Sequence, residues 1–168
     1  MVVDAHTLEI KQNKKVNFSA TALTVCGAHI WVGDKDGKIH ILDHSLTEVK
    51  LIEGKHKKAI SVMASNGKVV ASGDSYRYTF VFDGVTQEEL FNFGDTHTDK
   101  LYDLYLTETY LLSVSQNMDF RLTNLEDHKM LKHVKLPHGR KDIQSGVIWN
   151  GVIYTMGKDC AFRTWPLN

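Results

Sequence analysis

Cysteine and proline are scarce in this chain, and their scarcity excludes several classes of protein. The 168 residues contain two cysteines, Cys26 and Cys160, and two prolines. So few thiols exclude a disulfide framework and favour a reducing compartment. No Ser-rich or Gly-rich tract marks a linker, no apolar run approaches the roughly 18 residues of a membrane-spanning helix, and residues 1–6 lack a signal-peptide pattern. We therefore expect a soluble, cytoplasmic protein.

The chain also lacks net charge. Its 20 Lys and Arg residues balance its 20 Asp and Glu residues. Proteins bind nucleic acids and anionic membranes through an excess of positive charge. The composition therefore predicts neither a nucleic acid nor a membrane surface as a partner.

The chain is rich in short β-strands that are separated by turn residues. The last segment contains an apolar-alternating run at Ile143–Trp149 and two further β-rich runs at Val152–Met156 and 161–165. Asn150-Gly151 separates the first run from the second, and Gly157-Lys158-Asp159 follows the second. Asn and Gly accept the positive φ of tight hairpins, so this segment predicts an antiparallel meander. One meander has two open edges and one buried face and is not stable alone.

The meander repeats along the chain. A turn residue and a strand residue six positions later recur at intervals of 42, 41 and 40 residues: Asp159 with Trp165, Asn117 with Thr123, Tyr76 with Phe82, and Asp36 with Leu42. An upstream histidine recurs at 41-residue intervals as His56, His97 and His138. A period of 40 to 42 with four strands per unit is typical of WD40 propeller blades. The sequence therefore predicts an all-β, WD40-type β-propeller of about four blades without a long helix.

The period divides residues 1–168, a single domain, into an N-terminal segment and four blades. The blades are expected at 18–55, 56–95, 96–137 and 138–168. Residues 1–17 contain one or two strands, with alternation over Thr7–Gln12 and a further short strand at Val16–Phe18. The first strand can complete the last blade and close a small ring, or it can end a preceding blade of a larger, partial propeller. Both readings stay open at this point.

No motif for catalysis or metal binding is found. The three phased histidines lie one per blade, so they cannot converge on one ion, and Cys26 and Cys160 do not form a CxxC pair. Nucleophile-elbow, zincin, P-loop and dinucleotide-binding patterns are all missing. We predict no enzyme activity and no cofactor, and we expect Trp31 to pack between blades and Cys26 to be a small buried hydrophobe.

The turns between the second and third strands of each blade are predicted to form a contact surface for proteins. Tyr and Arg are frequent anchors of protein interfaces, and turns at one face of a propeller are accessible to partners. By position alone, this criterion nominates Asp34, Lys35, Tyr76, Arg77, Met118 and Lys158.

Four segments together resemble the final repeats of the actin-interacting protein 1 family, which are WD40-repeat proteins of the actin cytoskeleton. In chain order they read WVGDKDGKIH at 31–40, KVVA at 68–71, SGVIW at 145–149 and GKDCAFRTW at 157–165. The likeness covers most of the chain. The chain departs from the common repeat in two ways. Trp165 is its sole third-strand tryptophan, and Met156 stands where a blade often has a residue with a hydroxyl group.

The resemblance implies a function in protein–protein contact. Members of that family are similar in fold to two joined seven-bladed propellers, and they promote disassembly of actin filaments decorated by cofilin. The implied partners are actin and cofilin/ADF, the implied location is the actin cytoskeleton, and the chain would be the C-terminal part of the second propeller. The alternative is a generic WD40 scaffold that binds short peptide segments of unrelated partners. Open apolar blade faces also predict a homodimer.

Overall fold

The chain folds entirely into antiparallel β-sheets. The computed structural model describes residues 2–94 and 97–167. That part of the chain contains no helix, and therefore no helix that is long and apolar enough to cross a membrane. A small N-terminal sheet pairs β1 (Val2–Val3) with β2 (Ile10–Gln12). Four larger sheets follow, one for each repeat, and they confirm the predicted fold class.

The four larger sheets are the blades, and each is a meander whose strands pair in chain order. The first blade contains β3 (Ala20–Cys26), β4 (His29–Asp34), β5 (Ile39–Leu42) and β6 (Glu48–Ile52). The second contains β7 (Ile60–Ser65), β8 (Val69–Asp74), β9 (Thr79–Asp83) and β10 (Glu89–Asn92). The third contains β11 (Leu101–Leu106), β12 (Tyr110–Ser115), β13 (Asp119–Asn124) and β14 (Met130–Lys135). The fourth has three strands, β15 (Ile143–Trp149), β16 (Val152–Gly157) and β17 (Phe162–Pro166).

The hydrophobic core lies between successive blades. Strand β3 packs beside β7, β7 beside β11, and β11 beside β15, so each blade contacts the next one in sequence. Trp31 is fully buried, and its ring lies 5.9 Å from that of Phe82 on the second blade. Cys26 is buried in the same cluster. Trp31 therefore packs between blades as predicted, and Cys26 is buried as predicted.

A β-bulge lies at the second residue of every first strand, and in the first two blades it links the blade to the next one. The register shifts around Thr21, Ser61, Tyr102 and Gln144. A bulge re-aims one side chain out of the normal alternation. The Thr21 hydroxyl donates to the Ile60 carbonyl at 2.6 Å, and the Ser61 hydroxyl donates to the Leu101 carbonyl at 2.8 Å. Each of these bonds ties one blade to the next.

The four blades form an open arc. Among residues 2–94 and 97–167, no hydrogen bond or ion pair joins the first blade to the fourth, and strand β17 has no partner on its outer edge. The N-terminal strand does not complete the last blade, because β2 pairs with β1 instead. The predicted strand at Val16–Phe18 is wrong. The Phe18 ring stacks on His40 of the first blade at 3.6 Å, which holds this segment against that blade.

Candidate functional site

One end of the arc carries the turns that were predicted to contact partners. Antiparallel pairing brings the turn between the second and third strands of a blade to the same end as the connection that leads into its first strand. A backbone hydrogen bond joins these two segments in every blade: Lys35 to Ser19, Ser75 to Ala59, Gln116 to Lys100, and Lys158 to Asp142. We call this end the rim, and it consists of residues 35–38, 53–59, 75–78, 97–100, 116–118, 136–142 and 158–160.

A buried histidine in the connection fixes the rim in three of the four blades. His56, His97 and His138 each bond through Nδ1 to a carboxylate and through Nε2 to a hydroxyl on the second strand. The carboxylates are Asp74, Asp119 and Asp159, and the hydroxyls are Ser72, Ser113 and Thr155. These bonds hold the connection against the turn, so the rim has a defined shape.

In the fourth blade this network extends to a tryptophan. The Trp165 Nε1–H donates to the Thr155 hydroxyl at 3.0 Å, and that hydroxyl donates to His138 Nε2 at 2.9 Å. His138 Nδ1–H in turn donates to Asp159 at 2.7 Å. The hydroxyl of this blade is therefore supplied by Thr155, whereas the sequence comparison placed Met156 at that position. The alternation of a strand explains the error, because Met156 points to the opposite face of the sheet.

The pKa values of the network residues follow from this arrangement. Burial, the largest influence, lowers the pKa of His97 below its usual range and keeps the ring neutral, in spite of the raising effect of Asp119. Burial alone would raise the pKa of Asp159, but hydrogen bonds from Arg163 and His138 lower it to about 2. A neutral ring that donates at Nδ1 and accepts at Nε2 satisfies both of its neighbours. The histidines are thus structural groups.

The first blade builds its rim turn differently. His40 comes from the third strand, and its ring nitrogens lie 3.2 Å from Asp34 and 2.5 Å from Glu48. Asp34 also accepts the backbone N–H groups of Asp36 and Lys38, both at 2.8 Å. An open groove of about 760 Å³ runs beside these residues. The position that corresponds to His56 holds Val16, so no histidine is available there from the connection.

Five of the six residues nominated from the sequence lie at the rim, and the sixth, Asp34, is the last residue of β4 and adjoins it. Lys35, Tyr76 and Lys158 are exposed, and Arg77 and Met118 are half-buried. Asp34 is 1% exposed, and its carboxylate is occupied by the bonds described above, so it shapes the turn and is not itself accessible to a partner. The other five side chains are distributed over all four blades.

Tyr76 and Arg77 form a small unit at the tip of the second blade. The Arg77 guanidinium lies over the Tyr76 ring, 4.5 Å from its centroid. Asp74 accepts the backbone N–H groups of Tyr76, Arg77 and Tyr78 at 2.8 to 3.0 Å. Because these bonds involve only the backbone of the three residues, they hold the turn whatever side chains stand there.

The two ends of the arc carry opposite charge. Basic residues outnumber acidic ones at the rim, whereas acidic residues predominate in the turns at the other end. The basic set at the rim is Lys35, Lys38, Lys55, Lys57, Lys58, Arg77, Lys100, Arg140, Lys141 and Lys158. The acidic set at the opposite end includes Asp43, Glu88, Glu108, Glu126 and Asp127. The connections contribute most of the basic residues, and the sequence analysis did not nominate them because it chose candidate residues from the turns alone.

Part of this basic charge is neutralised locally. Lys55 pairs with Glu89 at 2.5 Å, Lys158 pairs with Asp142 at 2.6 Å, and Lys38 pairs with Glu53. Lys57, Lys58, Arg140 and Lys141 are exposed. No group of three or more His, Cys, Asp or Glu side chains in the described part of the chain is arranged to hold a metal ion.

The fold is that of WD40 repeats and of designed propellers. No family model matches the sequence. The designed protein Ika4 is 15% identical over 94% of this chain and 96% of its own chain, with a TM-score of 0.82. The WD40 repeats of RRP9 are 22% identical over 90% of this chain and 49% of their own, with a TM-score of 0.77. The designed protein Ika8 is 16% identical over 88% of this chain and 45% of its own, with a TM-score of 0.78. This chain therefore spans about half the length of RRP9 and of Ika8 and nearly all of Ika4.

Proposed function

We propose that this chain is a non-enzymatic docking module that holds a protein partner on its rim. The observation that carries the proposal is the contrast between the two kinds of rim residue. The histidines His56, His97 and His138 are buried and bonded, whereas basic side chains outnumber acidic ones among the exposed residues of the rim and are joined there by Tyr76. Such a surface binds and does not catalyse.

The charge of the rim specifies the chemistry of the partner. A basic surface attracts an acidic segment, and complementary charge raises the association rate and restricts the choice of partner. Tyr76, which is 45% exposed, provides apolar contact area beside that charge. We therefore propose an acidic protein segment as the ligand, with Tyr76 and Arg77 as its anchors.

The particular partner that we propose comes from the sequence resemblance. The segments at 31–40, 68–71, 145–149 and 157–165 resemble a family that acts on actin filaments decorated by cofilin. On this basis the rim would contact actin or cofilin and promote disassembly of the filament. The alternative is a WD40 scaffold that docks acidic segments of unrelated proteins, which the same surface supports equally well.

Co-sedimentation with cofilin-decorated actin filaments tests the proposal. The wild-type chain is expected to pellet with the filaments. The double variant Tyr76→Ala/Arg77→Ala is expected to bind at least about tenfold more weakly, since interface anchors are typically worth more than about 1 to 2 kcal/mol. The turn itself should survive, because its bonds to Asp74 involve the backbone.

A matched double variant at the other end of the arc serves as the control. Lys68→Ala/Val85→Ala removes one cation and one apolar side chain that are both strongly exposed. It should bind as the wild type does, and equal loss in both double variants would contradict a docking role for the rim. Failure of the wild type to pellet rejects the actin partner. Capture of other proteins that depends on Tyr76 and Arg77 would then favour the generic scaffold.

A further inference from the structure

The last blade presents an apolar face that the other blades bury. Val147, Trp149, Met156 and Phe162 are 41%, 64%, 39% and 78% exposed. By strand register, Phe162 corresponds to Phe120 and Met156 to Val114, and both of those residues are fully buried against the fourth blade. We call Val147, Trp149, Tyr154, Met156 and Phe162 the leading face. It is built as a blade interface but has no blade on it.

The first blade presents the complementary kind of face. Leu23 and Val25 on β3 are 67% and 58% exposed, although Met63, which corresponds to Leu23 on the second blade, is buried. We call Ala20, Leu23, Val25 and Ile30 the trailing face. Together with Val16, Phe18 and other residues of this blade, it lines an apolar groove of about 300 Å³.

The side-chain sizes on the two open faces suit each other at one position of the blade interface. There a residue of the second strand lies beside the first residue of the next blade. Gly33 meets Ile60 so closely that an added Cβ would lie 2.5 Å from the Ile60 side chain, and an added Cβ on Gly73 would lie 2.7 Å from Leu101. The third internal interface has Val114 and Ile143 at this position, and both are fully buried. The corresponding residues at the two open faces are Met156 and Ala20, one large and one small.

The strand pattern carries a second, independent indication. Strand β6 ends eight residues before β7 begins, and β14 ends eight residues before β15. Strand β2 also ends eight residues before β3 begins, so it stands in phase as the fourth strand of a blade that precedes the first one. The fourth blade has three strands and an unpaired outer edge at β17. The fourth blade therefore has one strand fewer than the other blades, and β2 is one strand that belongs to none of the four.

The bulge positions add a polar contact. Thr21 and Ser61 use their hydroxyls to bond a backbone carbonyl of the next blade. Gln144 occupies the corresponding bulge in the last blade, and its buried Nε2 has no hydrogen-bond partner among the residues that the structure describes. The carbonyl that corresponds to those of Ile60 and Leu101 is that of Ala20 on the trailing face.

We propose that two copies of this chain join head to tail. The leading face of each copy packs on the trailing face of the other, β2 of each copy pairs with β17 of the other, and Gln144 donates to the carbonyl of Ala20 across the seam. Two four-bladed arcs make a ring of about eight blades, which lies within the usual range of about four to eight for propellers. Head-to-tail contacts of this kind form closed rings when the rotation between copies closes.

The shape of the arc favours a second copy over closure of one chain on itself. The first and fourth blades stand apart in the structure, and the arc superposes on about half of Ika8 and of the RRP9 repeats. Its curvature is therefore that of a ring with about twice as many blades. Exposed apolar faces of this kind are covered in stable soluble proteins.

Light scattering on a sizing column tests the proposal with the chain as it stands. At concentrations of tens of micromolar, we expect a mass of twice the 19.0 kDa of one chain. A monodisperse mass of 19.0 kDa over that range would overturn the proposal, because it would show either an open or a self-closed monomer.

Two charge substitutions separate a head-to-tail contact from other dimers. Phe162→Glu on the leading face and Leu23→Glu on the trailing face should each give monomers, because each variant spoils both seams of a ring. Since both residues are exposed, neither substitution should change the circular dichroism of the monomer. An equimolar mixture of the two variants retains one seam with two unaltered faces, so it should regain the dimer mass.

The controls keep this test independent of the docking function. Val85→Glu changes a residue that is 81% exposed and lies on neither face, so it should leave the dimer intact. If Phe162→Glu alone disrupts the dimer while Leu23→Glu does not, the contact joins like faces and the proposal is wrong. The rim residues lie outside both faces. The Tyr76→Ala/Arg77→Ala variant should therefore keep the dimer mass even if it no longer binds a protein partner.

Discussion

Removal of the Thr155 hydroxyl is the most direct test of the hydrogen-bond network in the fourth blade. It accepts from Trp165 at 3.0 Å and donates to His138 at 2.9 Å, and both Thr155 and His138 are buried. Valine has nearly the same shape as threonine and suits a strand, so Thr155→Val removes the two hydrogen bonds without leaving a cavity.

The expected cost follows from the two groups that lose their partner. A buried polar group without a partner costs about 1 to 3 kcal/mol. His138 is 2% exposed and bears the full penalty, whereas Trp165 is half-buried and regains part of its loss from water. We therefore expect Thr155→Val to lower the free energy of unfolding by about 2 to 4 kcal/mol, which is a large fraction of the roughly 5 to 15 kcal/mol of a typical domain.

Urea unfolding followed by tryptophan fluorescence and circular dichroism measures this change. With an m-value of about 2 kcal/mol/M, in the middle of the usual range for urea, the midpoint should fall by roughly 1 to 2 M. Thr164→Val makes the same chemical change at an exposed position of the neighbouring strand and should have little effect. Thr155→Ser keeps the hydroxyl and should restore most of the stability. A loss below about 0.5 kcal/mol in Thr155→Val would refute the network.

Two further predictions concern pH and packing. Because burial lowers the pKa of His97 below its usual 6.5, the unfolded chain takes up this proton first, so stability is full above about pH 6.5 and declines as the pH falls below it. The free energy of unfolding should therefore fall between pH 7.5 and 5.5, and it should fall less in His97→Gln; an equal fall in both proteins would show that this ring does not contribute. Gly33→Ala places a Cβ 2.5 Å from the Cγ2 of Ile60 and should cost about 1 to 3 kcal/mol in urea unfolding, and Ile60→Ala, which removes that Cγ2, should relieve part of that cost. Additive effects of these two substitutions would contradict the close contact.

The repeat period predicted the blades well because it reports on strands and turns together. The third blade, expected at 96–137, contains four strands that lie between Leu101 and Lys135. The position of Trp31 between blades and the burial of Cys26 were also predicted, since large aromatic and thiol side chains favour the interior. Local alternation and turn chemistry are sufficient for these features.

Features that depend on tertiary contacts were not predictable from the period. The carboxylates that bond to the three histidines occupy different places in their blades. Asp74 ends a second strand, Asp119 begins a third strand, and Asp159 lies in the turn between these strands. One sequence offset cannot describe three positions that converge only in space. Val16–Phe18 reads as a strand, but the packing of Phe18 on His40 decides its conformation.

The candidate surface was predictable in part, because local sequence patterns locate the turns but not the directions of their side chains. The turns gave Lys35, Tyr76 and Lys158 as exposed groups at one end, and strand alternation suffices to place them there. Asp34 was nominated with them, but its carboxylate is used inside the turn by the backbone of Asp36 and Lys38. A sequence shows that a turn contains an aspartate, and only the fold shows which way its side chain points.

The arrangement of the blades determines how this molecule unfolds. Each blade contacts only its neighbours along the chain, so the free energy of folding is close to a sum of nearest-neighbour terms, as in a one-dimensional stack. In an open arc the first and last blades have one neighbour each, and their amide hydrogens should exchange before those of the two middle blades. Joining two arcs into a ring would give every blade two neighbours. The stack would then have no ends from which to fray, and partial unfolding would give way to a single cooperative transition.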